Sequence, residues 1–145
     1  MVDNDPYVIE YNVRMGDPET QVVLPRIKSD FLELMARTAN QTLNNFDLQI
    51  HEETYANIVM VAGGYPESYE KGNPITGIPK DNETSKIFHA GTKEIDNKLF
   101  TNGGRVLSVV SKGSDFKQAL SKSYEIARKI DFKDKNYRKD IGFDL

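Results

Sequence analysis

Cysteine is absent from this 145-residue sequence, which excludes disulfide bonds and thiolate metal sites. An excess of basic residues is absent as well: the formal net charge is -3, so no overall positive field favours nucleic-acid binding. No window approaches the roughly 18 apolar residues that span a bilayer, and the first residues lack the features of a signal peptide. These absences predict a cytoplasmic protein with neither nucleic-acid nor membrane partners.

Several common catalytic motifs are also missing. His51 and His89 are the only histidines, and neither has a second histidine or a cysteine at metal-ligand spacing, so a zinc site is not expected. The sequence contains no Gly-x-Ser-x-Gly segment and no Gly-x-x-x-x-Gly-Lys-Ser/Thr phosphate loop. The length allows one average domain or two small lobes.

The most informative stretch is residues 7–21, which predict a strand, a turn and a short helix. Polar and apolar residues alternate over 7–14, so Glu10, Asn12 and Arg14 share one face of the predicted strand, about 7 Å apart. Asp17 fits the cap of the helix and Pro18 its first residue. A central strand needs neighbours on both sides, so we expect either a longer protein or an oligomer that completes the sheet.

The chain as a whole predicts an α+β fold in two parts, 1–48 and 49–145. In the first part the short helix ends near Pro25, and Ser29 caps a second helix over 30–43 that has one buried apolar face. In the second part, β-rich runs at 55–62, 75–78, 86–90, 99–101 and 105–111 predict an antiparallel sheet or partial barrel. A final helix is predicted over 114–130, with an apolar side to bury.

Glu10 and Asn12 would bring one charged and one neutral oxygen donor to the same strand face. Mg²⁺ prefers such oxygens and commonly takes one or two from the protein, with phosphates and water completing its shell. By itself, an exposed polar face on an edge strand is the commoner explanation. Arg14 could neutralise charge during phosphoryl or acyl transfer, or could pair with Glu10 or Asp17. Arg105 fits a strand-surface arginine better than a phosphate ligand.

Six motifs occur in order over nearly the full length of the chain. They are VIEYNVRMGDPETQ (8–21), GGYP (63–66), YEKG (69–72), FHAGT (88–92), TNGGRVL (101–107) and YRKDIG (137–142). Together they resemble the carboxy-terminal part of the phosphoribosylamine–glycine ligase family, also called glycinamide ribonucleotide synthetases, of the ATP-grasp superfamily. Matches of this length and order make chance a poor explanation.

The resemblance implies a ligase that joins glycine to 5-phosphoribosylamine through a glycyl phosphate, with ATP cleaved to ADP and phosphate, in de novo purine synthesis. It implies that Glu10 and Asn12 bind the catalytic Mg²⁺ or Mn²⁺. We expect Arg14 to be catalytic, stabilising the acyl phosphate or its tetrahedral successor. Residues 1–48 would be the terminal strand and helices of the ATP-grasp domain, and residues 49–145 the family's carboxy-terminal β-rich domain.

The same resemblance implies that the groups holding adenine and the phosphates lie outside this chain, so we expect the polypeptide alone to be inactive. Two alternatives stay open: a non-catalytic interaction or regulatory module on the same fold, and a different ATP-grasp ligase. Glu10 and Asn12 favour an enzyme over the module. The later glycine motifs argue against a different ligase.

Overall fold

Strands from the second half of the chain form the centre of the fold. The computed structural model describes residues 5–145. In chain order the strands are β1 (Thr54–Val61), β2 (Pro74–Ile75), β3 (Ser85–His89), β4 (Thr92–Ile95), β5 (Lys98–Thr101) and β6 (Arg105–Gly113). The α-helices are α1 (Thr20–Val23), α2 (Phe31–Ala39) and α3 (Phe116–Lys129), with 3₁₀ turns at Leu24–Arg26 and Leu43–Asn45.

The strands pair antiparallel in two three-stranded sheets, with the orders β1-β6-β3 and β2-β5-β4. The central strand β6 is buried at every residue from Val106 to Ser111. A strand buried on both faces has a nearly continuous run of apolar and small residues rather than a strict alternation, which explains its sequence. The predicted α+β class, with an antiparallel β-rich part and a packed helix, is confirmed.

Helix α3 covers the first sheet by packing against β1 and β6. It begins at Asp115, whose side chain accepts a hydrogen bond from the backbone N–H of Gln118 at 2.8 Å. Such a cap satisfies one of the backbone donors that a helix start leaves unpaired. The core beneath the helix consists of buried apolar side chains: Ile58, Met60, Ala62, Ile75, Val106, Leu107, Val109, Ala127, Ile130 and Phe132. None of the helices in residues 5–145 is long and apolar enough to span a membrane.

The predicted inward side of α3 is largely correct. Ala119, Ala127 and Ile130 are fully buried, whereas the larger apolar residues of the same predicted side, Phe116, Leu120 and Tyr124, are half-buried. Ser123 was not predicted to face the core, yet it is fully buried and donates a hydrogen bond to the backbone oxygen of Ala56 at 3.1 Å. A buried hydroxyl is tolerated when it finds an acceptor, so Ser123 links the helix to β1.

Strand β4 was missed by the sequence prediction. Its residues Thr92–Ile95 are mostly exposed and two of the four are charged, so no apolar alternation marks them. The strand exists because it forms a hairpin with β5 across Asp96 and Asn97, whose φ angles of 50° and 58° suit a two-residue hairpin turn. The Asp-Asn pair was the available signal. Strand β2 is shorter than the predicted run at 75–78.

The predicted strand over 7–14 is not formed. Every residue from Tyr7 to Arg14 is exposed, with Ile9 at 97% and Val13 at 95%, and no described residue pairs with this segment in a sheet. Alternation of polar and apolar residues gives a strand two faces, but a ladder also needs a partner strand. The apolar face predicted from the alternation is therefore open to solvent.

The helices of the first part also differ from the prediction. Helix α1 starts at Thr20 after Glu19, so Asp17 is not its cap, although the helix is short and gives way to a 3₁₀ turn around Pro25 as expected. Helix α2 is capped by Asp30 rather than Ser29, through a hydrogen bond from the Glu33 N–H at 2.8 Å. No residue of α2 is buried. Its predicted apolar face therefore has no covering element among residues 5–145.

Candidate functional site

The two predicted metal ligands lie side by side on the exposed segment. The amide nitrogen of Asn12 donates a hydrogen bond to Oε1 of Glu10 at 3.3 Å, and both residues are exposed. The hydrogen bond brings the two side chains together although the segment is not part of a sheet. This pairing leaves the amide oxygen of Asn12 and the second oxygen of Glu10 as acceptors for another group.

The donor set of Glu10 and Asn12 fits part of a Mg²⁺ or Mn²⁺ shell. Both atoms offered are hard oxygens, and Mg²⁺ usually takes one or two protein ligands and fills the remaining positions with phosphate and water. Within residues 5–145, no group of three or more His, Cys, Asp or Glu side chains could hold a metal ion. Two oxygens alone make a weak site, so the fit requires further ligands such as phosphate oxygens.

Arg14, the predicted catalytic residue, lies two residues beyond Asn12 and is exposed. Its Nη1 donates a hydrogen bond to the backbone oxygen of Met15 at 3.2 Å. The ion pairs with Glu10 or Asp17 that the sequence left open are not formed among the described residues. The guanidinium therefore retains most of its five N–H donors for another partner.

Asp17 joins this segment to the central sheet. Its Oδ2 lies 3.0 Å from Nη2 of Arg105, the first residue of β6, and its Oδ1 accepts a hydrogen bond from Gln21 at 3.3 Å. One residue on, the backbone oxygen of Pro18 accepts a hydrogen bond from the side chain of Asn57 in β1 at 3.0 Å. The chain that follows Arg14 is thus attached to both β1 and β6.

Glycines allow the loop GGYP to pack against the turn before β6. A Cβ on Gly104 would collide with the ring of Tyr65 and would lie 3.0 Å from Cε1 of Tyr69. The two rings lie 6.2 Å apart at a tilted angle. Nearby, a Cβ on Gly103 would lie 2.8 Å from Cα of Gly91, so the two backbones touch directly.

Arg138 and Asp140, near the end of the chain, form an ion pair that was not predicted from the sequence. Nε and Nη2 of Arg138 donate hydrogen bonds to the two carboxylate oxygens of Asp140, both at 3.0 Å. These hydrogen bonds lower the pKa of Asp140 and raise that of Arg138. Tyr124 of α3 holds this tail, because its hydroxyl donates to the Arg138 backbone oxygen and accepts from the Ile141 N–H. The YRKDIG motif was the available signal.

A second charged cluster lies where β1 begins and β6 ends. Nζ of Lys112 donates a hydrogen bond to Glu53 at 3.0 Å, and this hydrogen bond is the main cause of the lowered pKa of Glu53. Nδ1 of His51 lies 3.7 Å from the same carboxylate. With one histidine and one carboxylate already paired to a lysine, this cluster is an ion-pair network and offers too few ligands for a metal.

Comparison with known proteins now places the fold in a family. The family described as "Phosphoribosylglycinamide synthetase, C domain" matches residues 55–144. These residues include α3 and all six strands except the first residue of β1. The chain belongs to this family. The phosphoribosylamine–glycine ligase of Fusobacterium nucleatum is 47% identical over 145 residues, covering 98% of this chain and 34% of that protein.

Two further similar proteins agree with this assignment. The bifunctional purine biosynthetic protein PUR2,5 of Pichia angusta is 51% identical over 97% of this chain and 18% of that protein. The crystal structure of a Thermotoga maritima phosphoribosylamine–glycine ligase superposes with a TM-score of 0.74 at 39% identity, covering 95% of this chain and 34% of that one. The chain thus spans about a third of the length of the single-function ligases that it matches.

Proposed function

We propose that this chain is the carboxy-terminal part of an ATP-dependent ligase that joins glycine to 5-phosphoribosylamine, giving glycinamide ribonucleotide, ADP and phosphate. Membership of the phosphoribosylglycinamide synthetase family supports the proposal, as do the names of relatives that match nearly the whole chain. Within the chain, the hydrogen-bonded pair of Glu10 and Asn12 carries it. The division into an ATP-grasp part at 1–48 and a carboxy-terminal domain at 49–145, and a cytoplasmic location, remain predictions from the sequence.

In this proposal Glu10 and Asn12 hold a Mg²⁺ or Mn²⁺ ion beside the phosphates of ATP. The ion, when bound, neutralises negative charge on the phosphoryl group during its transfer. The two side chains are exposed and already adjacent, so they can meet a nucleotide brought by the rest of the ligase without rearranging the fold. Phosphate oxygens and water would supply the remaining ligands.

Arg14 stabilises the negative charge that develops during the same reaction. Transfer of the γ-phosphoryl group to the glycine carboxylate gives an acyl phosphate, and attack by the amine of phosphoribosylamine then builds negative charge on the carbonyl oxygen. A guanidinium placed beside that oxygen or the phosphate lowers the barrier electrostatically. The support is geometric: Arg14 follows Asn12 closely, and within residues 5–145 its side chain forms one hydrogen bond, to the neighbouring Met15 carbonyl.

A chimeric ligase tests the proposal. The matching region of the Fusobacterium nucleatum ligase is replaced by this chain, and ADP formation is measured with glycine and phosphoribosylamine present or omitted. We expect activity that depends on both substrates, and we expect Glu10→Gln to raise the Mg²⁺ concentration needed for half-maximal activity about tenfold or more, because a charged ligand is lost.

Glu94→Gln is the matched control, since Glu94 is an exposed carboxylate on β4. It should leave the Mg²⁺ dependence unchanged. A well-folded chimera that makes no ADP, or that makes it independently of glycine, would refute the proposed ligase. Equal Mg²⁺ dependence in the Glu10 and Glu94 variants would refute the metal assignment alone.

A further inference from the structure

Few contacts hold the exposed segment over 7–14, which carries the candidate metal ligands, against the rest of the fold. Among the described residues it pairs with no strand. Within residues 5–145, two polar contacts join the chain that directly follows it to the first sheet. One is the ion pair of Asp17 with Arg105, and the other is the hydrogen bond from the side chain of Asn57 to the Pro18 carbonyl. These contacts are the polar links between the candidate ligands and the sheet.

The ion pair is the weaker of the two links in water. The side chain of Arg105 is 43% exposed and that of Asp17 is 54% exposed. Water solvates both charges and salt screens their attraction, so an exposed pair contributes little. The hydrogen bond from Asn57 is 3.0 Å long, is partly buried and joins two neutral groups. It therefore persists at salt concentrations that weaken the ion pair.

The strand β1 holds the Asn57 side chain in a fixed position. Asn57 is paired with Val110 of the central strand β6, so its backbone belongs to the sheet. Its neighbours Ala56 and Ile58 are buried, and α3 packs against this strand. Successive side chains of a strand point to opposite faces. Asn57 therefore points away from its two buried neighbours, toward Pro18, which lies two residues before α1.

Asn57 is a poor choice for the stability of the strand. Asparagine is disfavoured in strands. Its side-chain oxygen is buried and has no hydrogen-bond partner among residues 5–145, which costs free energy. An apolar side chain of similar size would avoid this cost. The amide does provide what an apolar side chain lacks, an N–H group for the Pro18 carbonyl.

We propose that Asn57 is a positioning residue for the segment that binds the metal ion. Its amide holds the Pro18 carbonyl, which fixes how the preceding chain leaves the sheet and where Glu10 and Asn12 present their oxygens. Within the described residues Asn57 forms no hydrogen bond with either ligand, so it acts through Pro18. The inference rests on the proposed function, because this position matters only if the two oxygens hold an ion beside ATP.

The absence of cysteine allows a direct test in the 145-residue chain. A nitroxide attached to Met15→Cys broadens the NMR signals of nearby backbone amides and so reports the position of the segment. With Asn57 present, we expect broadening of one defined set of sheet amides. The set should stay the same in about 1 M salt, where the Debye length falls to about 3 Å. In Asn57→Leu only the ion pair remains, so the broadening should weaken, and salt should weaken it further.

Two further variants separate the hydrogen bond from shape and from stability. Asn57→Asp keeps the size of the side chain, but an ionised carboxylate has no N–H group, so at neutral pH it should behave as Asn57→Leu does. Ser123→Ala is the matched control, because Ser123 donates to the Ala56 carbonyl from α3. It should lower the urea midpoint and leave the broadening unchanged. Dispersed amide spectra would show that each variant is folded.

The chimeric ligase gives the functional readout. Asn57→Leu should lower kcat about tenfold and raise the Mg²⁺ concentration needed for half-maximal activity about tenfold, because small misplacements of catalytic groups are costly. Ser123→Ala should leave both values unchanged at a temperature at which the variant is folded. A residue that only stabilised the fold would not change the Mg²⁺ dependence.

Unchanged broadening in Asn57→Leu, or an equal change in Ser123→Ala, would overturn the inference. Broadening in Asn57→Asp like that of the unsubstituted chain would overturn it as well, because shape and not the N–H group would then hold the segment. Altered broadening in Asn57→Leu beside unchanged kcat and Mg²⁺ dependence in an active chimera would overturn the positioning role alone. An inactive chimera would refute the proposed ligase and with it that role, whereas the broadening would still decide whether Asn57 fixes the segment.

Discussion

Removing one hydroxyl of a buried serine pair should lower the free energy of unfolding at least as much as removing both hydroxyls. Ser85 of β3 and Ser111 of β6 are directly paired across the first sheet, with their Oγ atoms 2.9 Å apart. Only 6% of Ser85 and 1% of Ser111 are exposed. The hydroxyl that remains after a single substitution to alanine therefore cannot turn to bulk water.

The magnitude follows from that burial. A buried polar group left without its partner costs about 1–3 kcal/mol, whereas replacing both partners by apolar groups can be nearly neutral. We expect Ser85→Ala and Ser111→Ala each to lower the free energy of unfolding by about 1–3 kcal/mol. The double variant should lose no more than either single one, so the two effects should be non-additive by at least about 1 kcal/mol.

Urea denaturation followed by circular dichroism measures these differences. With a slope of about 2 kcal/mol per molar urea, a loss of about 2 kcal/mol lowers the midpoint by about 1 M. Ser121→Ala is the control: Ser121 is exposed on α3, and alanine is the better helix former, so its midpoint should stay the same or rise slightly. Additive losses in the double variant would refute the reasoning.

Three further predictions concern the charged groups and the isolated chain. The pKa of Asp140 is lowered by its hydrogen bonds with Arg138, so its stabilising contribution is present above the unfolded-state pKa and is lost as the pH falls through the lower folded-state value. Carboxyl-carbon NMR should show the pKa of Asp140 rising in Arg138→Gln; an unchanged value would disprove this cause. In the chimeric ligase, Arg14→Ala should lower kcat at least about tenfold with little change in the Mg²⁺ dependence, because the guanidinium acts on developing charge; unchanged turnover would remove Arg14 from the mechanism. Calorimetric titration of the isolated chain with ATP and Mg²⁺ should detect no tight binding, and turnover by the chain alone would contradict the proposed division of the site.

Several elements could be predicted from the sequence because their signals are local. The apolar spacing of α3, the apolar runs of β1 and β6, and the antiparallel character of the β-rich part are confirmed. Helical and strand periodicities report the face that a segment buries, wherever a burying partner exists. Strand β4 was missed for the converse reason, since it is mostly exposed and is held only by its hairpin with β5.

The segment over 7–14 shows the limit of periodicity. Its alternation predicted Glu10 and Asn12 on one side, and the two side chains do form a hydrogen bond. The predicted strand was wrong because strand formation depends on a partner, and no described residue supplies one. The same limit applies to helix α2. Its apolar spacing correctly predicted a helix, but none of the residues on the face predicted to be buried is buried.

The sequence by itself determined the fold class, the family resemblance and the adjacent pair of oxygen donors, because each depends on residues close together in the chain or on motifs in a fixed order. Only the tertiary structure decided that Asn57 binds the Pro18 carbonyl, and that Asp17 pairs with Arg105 instead of capping a helix. Those contacts join the segment before α1 to β1 and to the start of β6. Their proximity depends on how α1 and the sheet pack, which no local pattern encodes.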